Sequence, residues 1–288
     1  MQSDIWRSWT ARDARGHIVL PSPDDHKYSR GVLGVITGSN EYPGAAVLTC
    51  EAAMRTGLGM LRYFGPTYPQ DLVLRQRPEV VTEPGEVQAW LIGSGIDPDN
   101  RGWFRSRHMR RALNQGLPVI LDAGGLSLVS EITGPTLITP HYRELHRLLS
   151  SREITVTPTA IEGDPKKWAR VAASEFGATV LLKGNVTVIA SQESQIQLPA
   201  SPTWLATAGT GDVLAGILGA LIATQVVEIE KNENILSSIA ATGSFIHSRA
   251  AELASAGGPI TAMDVAPSAE WGTPYIEIDP IRRHRKDD

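Results

Sequence analysis

Ala208-Gly209-Thr210-Gly211-Asp212-Val213-Leu214-Ala215-Gly216-Ile217-Leu218-Gly219 is the most informative stretch of this chain. Leu214, Ile217, Leu218, Leu221 and Ile222 recur at helical spacing, so the glycines and Asp212 stand where a buried helix begins. A helix start presents unpaired backbone N–H groups and a partial positive charge, which suits an anion such as phosphate. A carboxylate among those donors would repel a phosphate that was merely held there. It has a use if Asp212 takes the proton of a hydroxyl that then attacks the phosphorus. The stretch reads as a phosphoryl-transfer site.

Working outward, short apolar runs alternate with helical patterns. Strands are expected at 31–37, 60–64, 90–92, 118–121, 136–138, 179–182 and 186–190. Helices are expected at 44–56, 103–114, 142–149, 165–176, 211–224 and 232–254. Buried strands alternating with helices predict a mainly parallel sheet covered on both faces, an α/β fold. In such sheets ligands bind outside the carboxyl ends of the strands. Gly38, Gly93, Asp122, Thr139 to His141 and Lys183 each follow an expected strand. No repeat, linker or charge block divides the 288 residues. The expected organisation is an N-terminal arm (1–25), one domain (26–275) and a charged C-terminal tail (276–288).

Composition narrows the function. A net charge of −4 argues against a nucleic-acid surface, and the basic run Arg282 to Lys286 sits in the tail beside two aspartates. No apolar run approaches the ~20 residues that cross a bilayer, and Met1 to Arg15 lacks a signal-peptide core. A cytoplasmic protein without membrane or nucleic-acid partners is the default. The single cysteine, Cys50, lies in an apolar run and reads as a core residue.

The remaining motifs each have a plain reading beside the functional one. Lys183-Gly184-Asn185-Val186-Thr187 joins two strands, and a tight turn explains it as well as a nucleotide lying over it does. In Thr139-Pro140-His141, Thr139 or His141 caps the next helix, or His141 faces a ligand at the edge that carries Asp212. Asp122 either caps a helix or holds a ligand or a water-bound metal. Pro43-Gly44-Ala45-Ala46 opens a helix with small residues that pack tightly or leave room for a flat ligand. No Gly-x-x-x-x-Gly-Lys-Ser/Thr occurs, which excludes the P-loop class, and neither Gly-x-Gly cluster completes a dinucleotide fingerprint.

In this order the pieces resemble the ADP-dependent NAD(P)H-hydrate dehydratases, a branch of the ribokinase-like superfamily. The resemblance runs from His26-Lys27 to Thr261-Ala262-Met263-Asp264. It rests on Gly-Ser with Pro-Gly-Ala-Ala, Gly93-x-Gly95, Leu-Asp-Ala, Thr-Pro-His-x-x-Glu, Lys-Gly-Asn-x-Thr and Gly-Thr-Gly-Asp-x-Leu-Ala-Gly. It implies a three-layer α/β/α fold and repair of NADH or NADPH whose nicotinamide ring has been hydrated. By position, Lys183, Gly184, Asn185, Val186, Thr187 and Gly211 resemble the family's ADP/AMP contacts. Ala45, Gly95, His141 and Asp212 resemble its contacts to the hydrated dinucleotide. Gly209, Thr210 and Gly211 would form the anion hole. Mg²⁺ is implied, its protein ligands unassigned, with a homotetramer and a separate epimerase as functional partner. The epimerase domain often fused to this family is expected to be absent, because only a short arm precedes Gly31. The sequence departs from the family where Tyr142-Arg143 replaces Pro-Gly, where Ser94, Ile96 and Asp97 interrupt a Gly-Pro-Gly-Leu-Gly pattern, and where Ala208 replaces a glycine.

On this reading ADP phosphorylates the hydroxyl at ring carbon 6, and the phosphate then leaves. The S form of the hydrate returns to NADH or NADPH while ADP becomes AMP and phosphate. Asp212 is the expected catalytic base. The alternatives are a ribokinase-like kinase that releases a phosphate ester of a small alcohol, and a nucleotide sensor without turnover.

Overall fold

The computed structural model describes residues 5–100 and 103–268. Nine strands form one sheet in the order β1-β9-β8-β7-β6-β5-β4-β2-β3. They are β1 (Arg7–Ser8), β2 (Val32–Ile36), β3 (Met60–Tyr63), β4 (Ala89–Ile92), β5 (Val119–Leu121), β6 (Thr136–Ile138), β7 (Thr179–Leu182), β8 (Val186–Ala190) and β9 (Gln195–Ala200). Strands β2 to β7 run parallel, while β8 turns back antiparallel to β7 and β9 in turn to β8.

Alternation along each strand builds two cores. Leu91 sits in one apolar cluster with Leu33, Ile120 and Leu137, while its neighbours Trp90 and Ile92 sit in the other with Leu121 and Ile138. On the first face lie α2 (Pro43–Arg55), α8 (Thr210–Thr224), α10 (Ile235–Ser255) and α11 (Ala262–Ser268). On the second lie α4 (Trp103–Leu113), α5 (Tyr142–Ser150) and α7 (Pro165–Phe176), with a 3₁₀ helix at Ala123–Glu131. The expected three-layer α/β/α fold is therefore present. The other α-helices are α1 (Ala11–Arg15), α3 (Thr67–Gln76), α6 (Pro158–Gly163) and α9 (Val226–Lys231).

Two differences from the sequence reading stand out. The N-terminal arm folds onto the body. There β1 pairs with β9 and Trp9 is buried in the first core. The last long helix starts at Ile235, three residues later than expected, after a turn in which the Asn232 side chain accepts from the Asn234 N–H. The expected tail at 276–288 lies outside the described residues.

The register then fixes the site. Ile36, Ile92, Leu121, Ile138 and Val180 stand side by side across β2, β4, β5, β6 and β7. The residues that follow them, Thr37, Gly93, Asp122 and Thr139, are delivered in one row to the carboxyl edge. A further bridge sets His141 beside Lys183. Strand order reverses at β2, with β3 on one side and β4 on the other. A ligand crevice belongs at such a reversal.

Candidate active site

Lys183 is the charged centre of the edge. Its Nζ donates to Asp122 Oδ1 at 2.8 Å and lies 3.8 Å from Glu144 Oε2. Asp122 is buried and also accepts hydrogen bonds from Ser94 Oγ at 2.9 Å and Thr139 Oγ1 at 2.8 Å. Burial alone would raise the Asp122 carboxyl, but the charge of Lys183 and these three donors hold it below its ordinary value. Burial likewise opposes the charge on Lys183. Asp122 and Glu144 outweigh that and raise the ammonium above its ordinary value, so the pair stays ionised. Of the readings left open for Asp122, helix capping is excluded, since its side chain makes no cap hydrogen bond. It anchors the lysine. Ser94, one of the departures from the family pattern, is part of that anchor.

Helix α8 brings the second half. Gly209 adopts φ +90°, and a Cβ there would meet Leu48 Cδ1 at 2.6 Å and Ala262 Cβ at 3.0 Å. Only glycine fits this left-handed, crowded position. Replacing Gly209 by alanine is expected to cost about 1–3 kcal/mol, measured as a lower urea midpoint at unchanged slope. The N–H groups of Gly209, Gly211 and Asp212 have no partner among the described residues and remain available to an anion. Thr210 is different. Its hydroxyl donates to the carbonyls of Leu205 and Thr207, and its N–H turns to Thr207. The donors left open at this helix start are the backbone N–H groups of Gly209, Gly211 and Asp212, and the Thr210 hydroxyl is not among them. A Cβ on Gly211 would lie 3.7 Å from Lys183 Nζ, so the ammonium faces this turn.

Asp212 is mostly buried beside these groups. Burial first, and then the negative charge of Asp122, push its carboxyl up to about 7, with Lys183 pulling the other way. The ordinary carboxylate value, far too low for an effective base, does not apply here.

His141 caps α5. Its Nδ1 accepts from the N–H groups of Arg143 and Glu144, while the Glu144 carboxylate accepts from the His141 N–H. This reciprocal arrangement is a capping box. Burial holds the imidazole below its ordinary value, so it is neutral, with Nε2 left as the donor. The capping reading and the ligand reading are therefore compatible in one residue. Ala45 and Gly95 also meet. Gly95 has φ +66°, and a Cβ there would come within 2.4 Å of the Ala45 methyl. Gly184 and Asn185 form the exposed β7–β8 turn, with Val186 half-buried beside it. Asn185 is braced by Ser201, whose carbonyl accepts from its Nδ2. The Thr187 hydroxyl turns toward the Gly184 carbonyl at 3.4 Å.

Three contributors show their part only in the structure. Ser94 and Thr139 reach Asp122 across neighbouring strands, and only the register shows it. His247 of α10 is buried, with Nε2 unpartnered, and close enough to Lys183 and the Thr210 backbone to feel both. Burial pushes it down to about 4, leaving a neutral ring behind the anion turn. Cys50 is wholly buried, and burial raises its thiol, as a core residue requires.

No cluster of three or more His, Cys, Asp or Glu side chains able to hold a metal occurs among the described residues. Asp122 is committed to Lys183. A magnesium ion fits this edge only when carried on nucleotide phosphates and water, its usual mode beside phosphates.

The sheet, with helices on both faces and the Gly-Thr-Gly-Asp helix start at its carboxyl edge, has the fold of ribokinase-like proteins. The comparisons agree. The ADP/ATP-dependent NAD(P)H-hydrate dehydratase of Bacillus subtilis, co-crystallised with ATP and Mg²⁺, superposes with a TM-score of 0.79 at 24% identity. That match covers 93% of this chain and 97% of the other. A ribokinase-like protein of Enterococcus faecalis gives 0.79 at 20% identity, covering 93% and 95%. By sequence, the bifunctional NAD(P)H-hydrate repair enzyme Nnr of Mycobacterium leprae is 42% identical over 264 residues, 85% of this chain and 50% of that enzyme. The ADP-dependent (S)-NAD(P)H-hydrate dehydratase of Neisseria meningitidis is 31% identical over 270 residues, 86% of each. The chain spans about half the length of the bifunctional relatives it matches. The model of the NAD(P)H-hydrate dehydratase family matches residues 33–266. The chain belongs to the NAD(P)H-hydrate dehydratase family.

No helix among the described residues is long and apolar enough to cross a membrane.

Proposed function

We propose that this chain dehydrates the S form of hydrated NADH and NADPH at the expense of ADP. The observation that carries the reading is Asp212, a carboxyl pushed up to about 7, placed among free N–H donors and facing a fixed ammonium. An ionised Asp212 takes the proton of the ring hydroxyl as its oxygen attacks the β-phosphorus of ADP. The O–P bond forms, the P–O bond to AMP breaks, and AMP leaves. The ring nitrogen's lone pair then expels phosphate, and loss of a proton from the neighbouring carbon restores the dihydropyridine. Lys183 and the N–H groups of Gly209, Gly211 and Asp212 stabilise the transferring charge. One well-placed donor is worth about 2.7–4 kcal/mol in such a role. Mg²⁺ would supply further charge neutralisation on the diphosphate.

The nucleotide is assigned to the β7–β8 side. The exposed turn at Gly184 and Asn185 offers backbone, and the Ser201 N–H donates to the Asn185 carbonyl, which ties the following turn to it. That turn presents Trp204, 44% exposed, as a stacking face for a base. The Thr187 hydroxyl keeps its lone pairs for a donor. On the other flank His141 Nε2, Gly95 and Ala45 receive the hydrated dinucleotide. A homotetramer, working with a separate epimerase that interconverts the two hydrate forms, completes the proposal.

Incubation with hydrated NADH and ADP tests it. Recovery of the dihydropyridine absorbance with release of AMP is expected; a stable phosphate ester of another alcohol, with no recovery, would favour the kinase reading. The pH profile is a second test. Asp212 acts as its carboxylate, so kcat/KM should fall about tenfold per unit as pH drops below Asp212's value of about 7, and level off above it. His247, pushed down to about 4, stays neutral through this window, and Lys183, held high, stays charged. A flat profile between pH 5 and 8 would remove Asp212 from the base role.

A further inference from the structure

His247 takes no part in the chemistry above, yet helix packing delivers it to the start of α8. Gly243 of α10 lies against α8, where a Cβ would meet Leu218 Cδ2 at 2.6 Å and Leu221 Cδ1 at 3.4 Å. One turn further along α10, His247 shares that face and reaches Thr210, the first residue of α8. The two helices therefore run antiparallel, and the imidazole is buried at the Gly209–Asp212 turn. Its hydrogen bond with the Thr210 backbone favours the charged ring, so a ring N–H donates and the Thr210 carbonyl accepts. Nε2 has no partner, which makes Nδ1 the donor.

That carbonyl belongs to the peptide that also carries the Gly211 N–H. The peptide is planar and trans, so its C=O and N–H point in opposite directions. A carbonyl held by His247 therefore aims the Gly211 N–H away from α10, where no described group accepts it. The helix restrains this plane poorly by itself. No side chain caps α8, and glycines stand at its N-cap and second position. Thr210 is tied through its N–H and hydroxyl to Leu205 and Thr207, but Gly211 has no side chain to resist a turn of the plane. We infer that His247 is a positioning residue, which pins the Thr210–Gly211 peptide so that the Gly211 N–H meets the transferring phosphate. What that donor stabilises rests on the dehydratase reading above; how it is aimed does not.

Three variants of the whole chain test it. His247→Phe keeps the bulk of the ring without its donor. His247→Asn gives up bulk but keeps an N–H near the place of Nδ1, and His247→Leu has nearly the shape of Asn without its polarity. Phe and Leu should lower kcat about 10–100-fold, less than outright removal of such a donor. Their KM values for hydrated NADH and ADP should stay within about threefold of wild type, because the alignment matters most as charge develops. Asn should recover most of the lost kcat. The ¹H–¹⁵N signal of the Gly211 amide should move in Phe and Leu and return in Asn. A packing role predicts another order, with Phe mildest and Asn no better than Leu. That order, an unmoved Gly211 signal, or wild-type kcat in Phe and Leu overturns the inference. If Phe does not fold, the comparison of Leu with Asn decides. If the wild-type chain fails to turn over hydrated NADH with ADP, the dehydratase reading falls, while the Gly211 signal, which needs no turnover, still decides how the donor is aimed.

Discussion

Asp212→Asn is expected to lower kcat by about 10²–10⁴-fold, the range a positioned general base contributes. Binding of ADP should survive, and the reason is electrostatic. An ionised carboxylate at the start of α8 opposes a phosphate that the same backbone donors attract. Asparagine removes that opposition and keeps the shape, so the ADP dissociation constant should stay level or fall. A purely structural role for Asp212 would weaken ADP binding and activity together. Calorimetric titration with ADP beside single-turnover kinetics separates the two outcomes, and wild-type turnover by Asp212→Asn would end the base assignment. The pH limb should vanish with the carboxylate. In the wild type it should also move upward in the kcat profile, because bound ADP adds negative charge beside Asp212 and disfavours its ionised form.

How much of this was legible beforehand depends on whether a property is local. The apolar runs that became β2 to β8 were readable because each is buried on both faces. The Gly209–Asp212 helix start was readable because caps and periodicity lie within one turn of each other. Strand β9, Gln-Ile-Gln-Leu-Pro-Ala, was not, although its Gln-Ile-Gln-Leu alternation is that of a half-buried strand, because the pattern is only four residues long and ends in a proline. Its partner β1 has only two residues, and nothing in Arg7-Ser8 announces a strand. At the site, the residue types were visible while their coupling was not. That Asp122 holds Lys183 follows from a register joining positions 61 residues apart. The raised value of Asp212 depends on burial and on Asp122, neither of which its own neighbours in sequence reveal. Ser94 shows the same limit from another side. It reads as a departure from the family pattern, yet its hydroxyl completes the shell of Asp122.

The Asp122–Lys183 pair gives the other large expected effect, and it separates stability from chemistry. Asp122→Leu leaves the ammonium of Lys183 with the more distant Glu144 and with Asp212, but without its hydrogen-bonded carboxylate, in a site where its own side chain is 21% exposed. Breaking a buried pair from one side costs about 3–5 kcal/mol, because the remaining charge is desolvated without compensation. Lys183→Met should cost a similar amount for the opposite reason. It strands the Asp122 carboxylate, whose side chain is 4% exposed, with only two hydroxyl donors. The double variant Asp122→Leu/Lys183→Met removes both charges and should recover much of the loss, since apolar replacement of a buried pair is often near neutral. Activity should not follow stability. With the ammonium gone from its place opposite Gly211, the double variant should fold and still fail in phosphoryl transfer. Urea unfolding and kcat, measured on the three variants, form a cycle with a sharp signature of strong coupling in stability and none in turnover. Recovery of both together would make the pair a structural strut. Recovery of stability alone places Lys183 at the transferring phosphate, where the buried Asp122 carboxylate has held it.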